Sequence, residues 1–133
     1  MHEMMLVPIG HVESPLTDPA LAPKQGDEGA PDAWLVFDES VREGLSDLKP
    51  GDELEVLTWL HLARREVLSV HPRDDPRRPL TGVFSTRSSD RPNPIGLHRT
   101  RVLAVDGVRV QVRALEAVNG TPVVDLKPVV TGG

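Results

Sequence analysis

The sequence contains no cysteine and no tyrosine. Without cysteine, neither a disulfide scaffold nor a thiolate metal site is possible. Trp34, Trp59, Phe37 and Phe84 are its only Trp and Phe residues, so few rings are available to stack on nucleic-acid bases. Long hydrophobic runs are missing too. The opening apolar stretch, Leu6 to Ile9, is too short for a signal peptide or a membrane span. A soluble cytoplasmic protein is therefore expected. The histidines (His2, His11, His61, His71, His98) do not show the close spacing of a zinc site, and no metal is expected. No GxGxxG fingerprint, phosphate-loop lysine motif or GxSxG elbow occurs.

Proline (13) and glycine (11) are frequent among the 133 residues, which points to a single domain, 1–133, with much irregular chain. The net charge of −5 is unevenly laid out. Residues 1–60 hold 3 basic against 13 acidic side chains, residues 61–101 hold 9 arginines against 4 acids, and the remainder balances. A basic middle in an acidic chain either builds a local anion-binding surface or neutralises the acidic part across the fold.

Strand signals dominate. Val7, Ile9 and Val12 mark a strand near 6–13. Leu54 to Leu60 mark a second, Val67 to Val70 a third, and Val83-Phe84 a short fourth. The runs 102–105 and 108–112 flank Asp106-Gly107 and read as a β-hairpin. Val123, Val124 and Leu126 form the last strand. One short helix is expected from Ser40, with Ser40 as N-cap, Glu43 as its capping-box partner, and Val41, Leu45 and Leu48 on one face before Pro50-Gly51. Residues 14–33 and 71–80 read as Pro-rich loops. Many short strands with intervening turns predict a mostly β fold, a small closed or nearly closed barrel.

Two segments stand out chemically. In GVFSTRSSDRPNPIG, residues 82–96, Pro92 and Pro94 stiffen a polar loop that carries Arg87 and Arg91. Arginines held this way either grip a carboxylate or phosphate, or pair with the acidic N-terminal third. In ALEAVNGTPVVDLKP, residues 114–128, an Asn119-Gly120 turn lies between Glu116 and Asp125. It either admits a ligand close to the backbone or is an ordinary hairpin turn. Pro23-Lys24-Gln25 and Trp59-Leu60-His61, where an imidazole follows a strand end, are weaker signals.

The first segment resembles the signature of the TrmO (TsaA-like) family, whose usual form is close to GxFATRSPxRPNPIG. The second resembles that family's LDxxDGTPxLDIKP. Pro23-Lys24-Gln25 is similar to its Pro-Arg/Lys-Gln loop, and Pro8 to Pro15 to its IGxIxSP start. The resemblance implies a non-Rossmann β-barrel methyltransferase that binds S-adenosylmethionine (SAM) near the interface of a homodimer. It implies methylation of the exocyclic nitrogen of threonylcarbamoyladenosine beside the tRNA anticodon. The cofactor contacts it implies are Pro23, Lys24, Gln25, His61, Leu62, Arg87, Leu97 and the stretch Arg113, Ala114, Leu115, Glu116. Arg77, Arg78, Arg91, Asn93 and Asn119 are assigned to the methyl acceptor, and His61 and Asp125 to proton removal. Glu116 and Asn119 each stand where the family usually has Asp, and Ser85 where it has Ala. A small-molecule acceptor and a non-catalytic SAM-binding module are the alternatives.

Overall fold

The structure, a computed structural model, describes residues 3–18 and 29–130. Its strands are β1 (Gly10–Glu13), β2 (Ala33–Phe37), β3 (Glu53–Trp59), β4 (Ser69–Val70), β5 (Thr81–Gly82), β6 (Ile95–Asp106), β7 (Arg109–Val112) and β8 (Pro122–Pro128). Six of them close into a ring in the order β1-β2-β7-β6-β3-β8, with β8 returning to β1 and every neighbour antiparallel. The expected barrel is thus present and closed. Closure leaves no unpaired strand edge in the ring. β4 and β5 form a separate small hairpin inside the long connection from β3 to β6.

Alternation along the strands fills the barrel. Val12, Ala33, Leu35, Phe37, Leu54, Val56, Val102, Val110, Val112 and Val123 are buried in one cluster. Fully burying a Val, Leu or Phe side chain contributes about 1.5–3 kcal/mol. The cluster is extended at one end by Leu45, Val41 and Leu48. Val41 and Leu45 come from the expected helix, which is a seven-residue 3-10 helix, Glu39–Leu45, and Leu48 from just beyond it. Its N-cap is Asp38, whose carboxylate accepts from the Ser40 N–H at 3.1 Å, so Ser40 is not the cap. The opposite end of the ring is crossed by residues 113–121. Leu115 N–H donates to Pro31 O (2.9 Å) and Gly120 N–H to Val12 O (2.7 Å), which ties this segment to both sides of the β1–β2 connection.

Several sequence expectations are corrected. The first strand starts only at Gly10, and Met4 to Val7 are exposed. Val83-Phe84 is not a strand but part of a 3-10 turn, Val83–Ser85, with Val83 buried and Phe84 exposed. The β6–β7 hairpin is present, but its loop is Gly107-Val108, since Asp106 pairs with Arg109 and Gly107 takes φ 62°. Asn119-Gly120 does not join two paired strands, because β7 lies between β2 and β6 and β8 between β1 and β3. Strand β2 was not anticipated, and β6 begins seven residues before the expected start at Val102.

Candidate functional site

Strand β6 organises the site. Ile95, Leu97, Arg99 and Arg101 face outward, while Gly96, His98, Thr100 and Val102 face inward. Across the register Thr58 of β3 opposes Gly96, and Val56 opposes His98. The barrel interior therefore turns polar toward the end where β3 stops and β6 starts. Thr58 is fully buried, His98 is 4% exposed, and the Thr58 hydroxyl lies 2.7 Å from His98 Nε2. On its other side His98 Nδ1 bonds the Glu116 carboxylate through Oε1. The imidazole thus bridges the two, with the Glu116 carboxylate on Nδ1 and the Thr58 hydroxyl on Nε2. Gly96 makes this possible: a Cβ there would meet Thr58 Oγ1 and would lie 2.6 Å from His98 Nε2.

The segment 113–121 brings the second chemical stretch to this strand. Arg113 N–H donates to Arg101 O (3.0 Å), and the Thr100 hydroxyl donates to Arg113 O. Ala114 takes φ 46°, a left-handed conformation that costs an alanine roughly 1–3 kcal/mol. Its N–H is held by the Asp32 carboxylate at 2.9 Å. Glu116 Oε2 has no partner among the described residues, and the Glu116 side chain is 16% exposed. The turn after β3 approaches the same strand: Leu60 N–H donates to Pro94 O (2.8 Å), which places His61 and Leu62 beside the start of β6. His61, Leu62 and Leu97 are exposed. Among the described residues expected to hold a cofactor, His61, Leu62, Leu97 and Arg113 to Glu116 gather along β6. Pro23, Lys24 and Gln25 lie outside the described residues.

The arginines of residues 61–101 divide sharply. Arg64 pairs with Glu66, Arg77 and Arg78 with Asp75, and Arg99 and Arg101 with Glu53. Arg65 stacks over Trp59 at 5.1 Å and donates to Pro92 O and Asn93 Oδ1. The Arg91 guanidinium donates to the carbonyls of Val83, Thr86 and Ser88, so it braces its own loop. Arg73 is also engaged. Arg87 is exposed, and no described side chain or carbonyl engages it. The Asp75 carboxyl is held below the usual carboxylate range, first by the Arg77 guanidinium and then by the Arg77 N–H.

The remaining assigned residues are spread around the fold. Asp125 lies on β8 opposite Leu57, which in turn opposes Leu97, so the three form one row across β8, β3 and β6. Asn119 Oδ1 accepts from Ser14 N–H at 3.1 Å and fixes the turn onto the strand-β1 exit. Asn93 is taken by Arg65. Two surface depressions, one lined by Ile9, His11 and Phe37 and one by Arg42, Leu48 and Val105, contain none of the assigned residues. Among the described residues no cluster of His, Asp and Glu can hold a metal ion. None of their helices is long and apolar enough to cross a membrane. His98 and Thr58 were missed by sequence reasoning, because nothing in the local pattern marks His98 as facing into the barrel.

The family model for the tRNA-methyltransferase O N-terminal domain matches residues 11–132. The chain belongs to this family. Named relatives agree with it. A probable S-adenosyl-L-methionine-binding protein of Methanocaldococcus jannaschii is 44% identical over 96 residues, 69% of this chain and 75% of that one. An S-adenosyl-L-methionine-binding protein of Archaeoglobus fulgidus is 41% identical over 125 residues, 93% of this chain and 88% of that one. The crystal structure of TrmO from P. aeruginosa superposes with a TM-score of 0.76 at 27% identity. It is matched over 98% of this chain, which spans 56% of the crystallised chain.

Proposed function

We propose that this TrmO-family chain is a single-domain, SAM-dependent methyltransferase whose acceptor is the exocyclic nitrogen of threonylcarbamoyladenosine beside a tRNA anticodon. The observation that carries the reading is the gathering of His61, Leu62, Leu97 and Arg113 to Glu116 along one strand, within a chain matched to the family over residues 11–132. The donor set fits the cofactor. SAM presents a carboxylate, an ammonium, a ribose diol and an adenine. Arg87 is exposed and engaged by no described residue, suited to bidentate contact with a carboxylate. Glu116 offers an open oxygen for the ammonium or the ribose hydroxyls.

SAM carries its methyl group on a sulfonium that is its own leaving group. The chain's task is to align donor and acceptor and keep them together, which is worth on the order of 7–11 kcal/mol for well-oriented reactants. His61 at the β3 exit and Asp125 on the outer row are the groups assigned to take the proton of the accepting nitrogen. Leu62, Ile95 and Leu97, 56%, 46% and 44% exposed, form an apolar surface beside the site, which supports a homodimer closing over it. A cytoplasmic location accords with a tRNA acceptor.

One observation favours a second reading, a small-molecule acceptor. The arginines that would give an RNA-binding rim are mostly engaged within the chain, and exposed pairs of this kind are already neutralised. The discriminating experiment incubates the protein with methyl-labelled SAM and, in parallel, total tRNA or a metabolite extract. Label in tRNA is the expected result. Label confined to metabolites selects the small-molecule reading, and bound cofactor with no transferred label reduces the chain to a binding module.

A further inference from the structure

We infer that His98 is a positioning residue for the cofactor: seated between Thr58 and Glu116, it fixes the Glu116 carboxylate with one oxygen on the imidazole and the other turned outward to the ligand. The inference rests on the SAM reading above and extends it to a residue inside the barrel. The connectivity hydroxyl–imidazole–carboxylate is that of a hydrolase triad, but the geometry rules out that chemistry here. Thr58 is fully buried and cannot meet a substrate acyl group. The accessible member is the carboxylate, so the relay runs from the barrel wall outward.

Three observations show that the relay is built to hold Glu116. First, the His98 side chain is 5% exposed and has both ring nitrogens bonded, which leaves the imidazole one orientation. Second, the Glu116 side chain is 16% exposed, with Oε1 on His98 and Oε2 without a partner among the described residues. Third, Gly96 leaves the space in which the Thr58–His98 bond forms. Glu116 lies on an irregular segment, where a carboxylate has no regular backbone to aim it. Bonding to a side chain of β6 transfers the rigidity of the barrel to that oxygen. A ligand then meets a carboxylate already ordered and is spared the rotamer entropy of fixing it.

The test compares two amides at position 98. Asn places its Nδ2–H where the imidazole Nδ1 stands and can still donate to Glu116. Gln reaches toward Thr58 and cannot hold both. Calorimetric titration with SAM, alongside thermal unfolding of each variant, separates positioning from packing. H98N is expected to bind within about threefold of wild type and H98Q about tenfold more weakly, the loss of one hydrogen bond to a charged group. Both variants are expected to lose stability, so affinity must fail to follow stability. Equal affinity in H98N and H98Q, whether tight or weak, overturns the inference and leaves SAM binding standing. If H98Q does not fold, His98→Ala takes its place in the same comparison. No binding by the wild-type protein overturns the cofactor reading and this inference with it.

Discussion

The two ends of the barrel differ in what β3 and β6 turn inward. Toward the end covered by the 3-10 helix these strands bury Leu54, Val56 and Val102, with Leu45 of the helix in the same cluster. Toward the end crossed by residues 113–121 they turn Thr58, Gly96 and His98 inward, with Thr100 opposite Leu54 at the boundary, and a carboxylate closes the row beside the apolar Ala33, Val112 and Leu115. Both ends use the same strands, β3 and β6, so the difference is not one of backbone. One end excludes water and carries stability. The other keeps hydrogen-bonding groups in a fixed frame, which costs desolvation and is justified only by what those groups hold.

The contrast can be broken most severely at the apolar end. Leu54→Ala is expected to lower unfolding free energy by about 2–5 kcal/mol in denaturant titrations, with no specific change in SAM affinity once the variant is folded. A loss of affinity with little loss of stability would reverse the division. Arg87→Ala should do the opposite. No described residue engages its side chain, so melting should be unchanged while SAM affinity falls by about 1.5–3 kcal/mol in calorimetry. Undiminished affinity removes Arg87 from the site. Gly96→Ala should cost both properties, about 1–3 kcal/mol in stability through crowding of Thr58 and His98, together with weaker cofactor binding.

The smallest effect lies in the connection outside the barrel. Asp75 is depressed by Arg77, so its contribution is present above the carboxyl's unfolded value and disappears as pH falls through the lower folded one. A carboxyl carbon titration should place the Asp75 midpoint below that of an unpaired aspartate. Because this loop is solvent-screened, the melting temperature should scarcely respond. A normal midpoint would mean that the Arg77–Asp75 pair does not persist in solution.

The same contrast explains what the sequence showed and what it concealed. On β3 Leu54 and Val56 point in while Glu53 and Glu55 point out, and on β7 Val110 and Val112 point in while Arg109 and Gln111 point out, so both strands were legible. At the polar end the code inverts. Ile95 and Leu97 face out while Gly96, His98 and Thr100 face in, and the period-two signal points to the wrong face. The first seven residues of β6 were therefore not read as strand. A register shift between Val102 and Ala104 also spoiled the alternation beyond it. β2 was missed for a different reason: Trp34 sits on the outer face, 5.2 Å from the Arg109 guanidinium, and makes Ala33–Phe37 a continuous apolar run. The motif residues were legible through the family likeness, and Arg113 and Glu116 each bond to β6, at Arg101 and His98. His98, which belongs to no motif, became visible only through its position.

Ring closure also leaves one narrow seam. β1 meets only the start of β8, Gly10 opposing Val123 and His11 opposing Pro122, while the finish of β8 lies against β3, Pro128 opposing Leu54. That seam is reinforced by Ile9 N–H to Val123 O and Val12 N–H to Thr121 O, both 2.9 Å. It is where the ring should part first when the protein is strained.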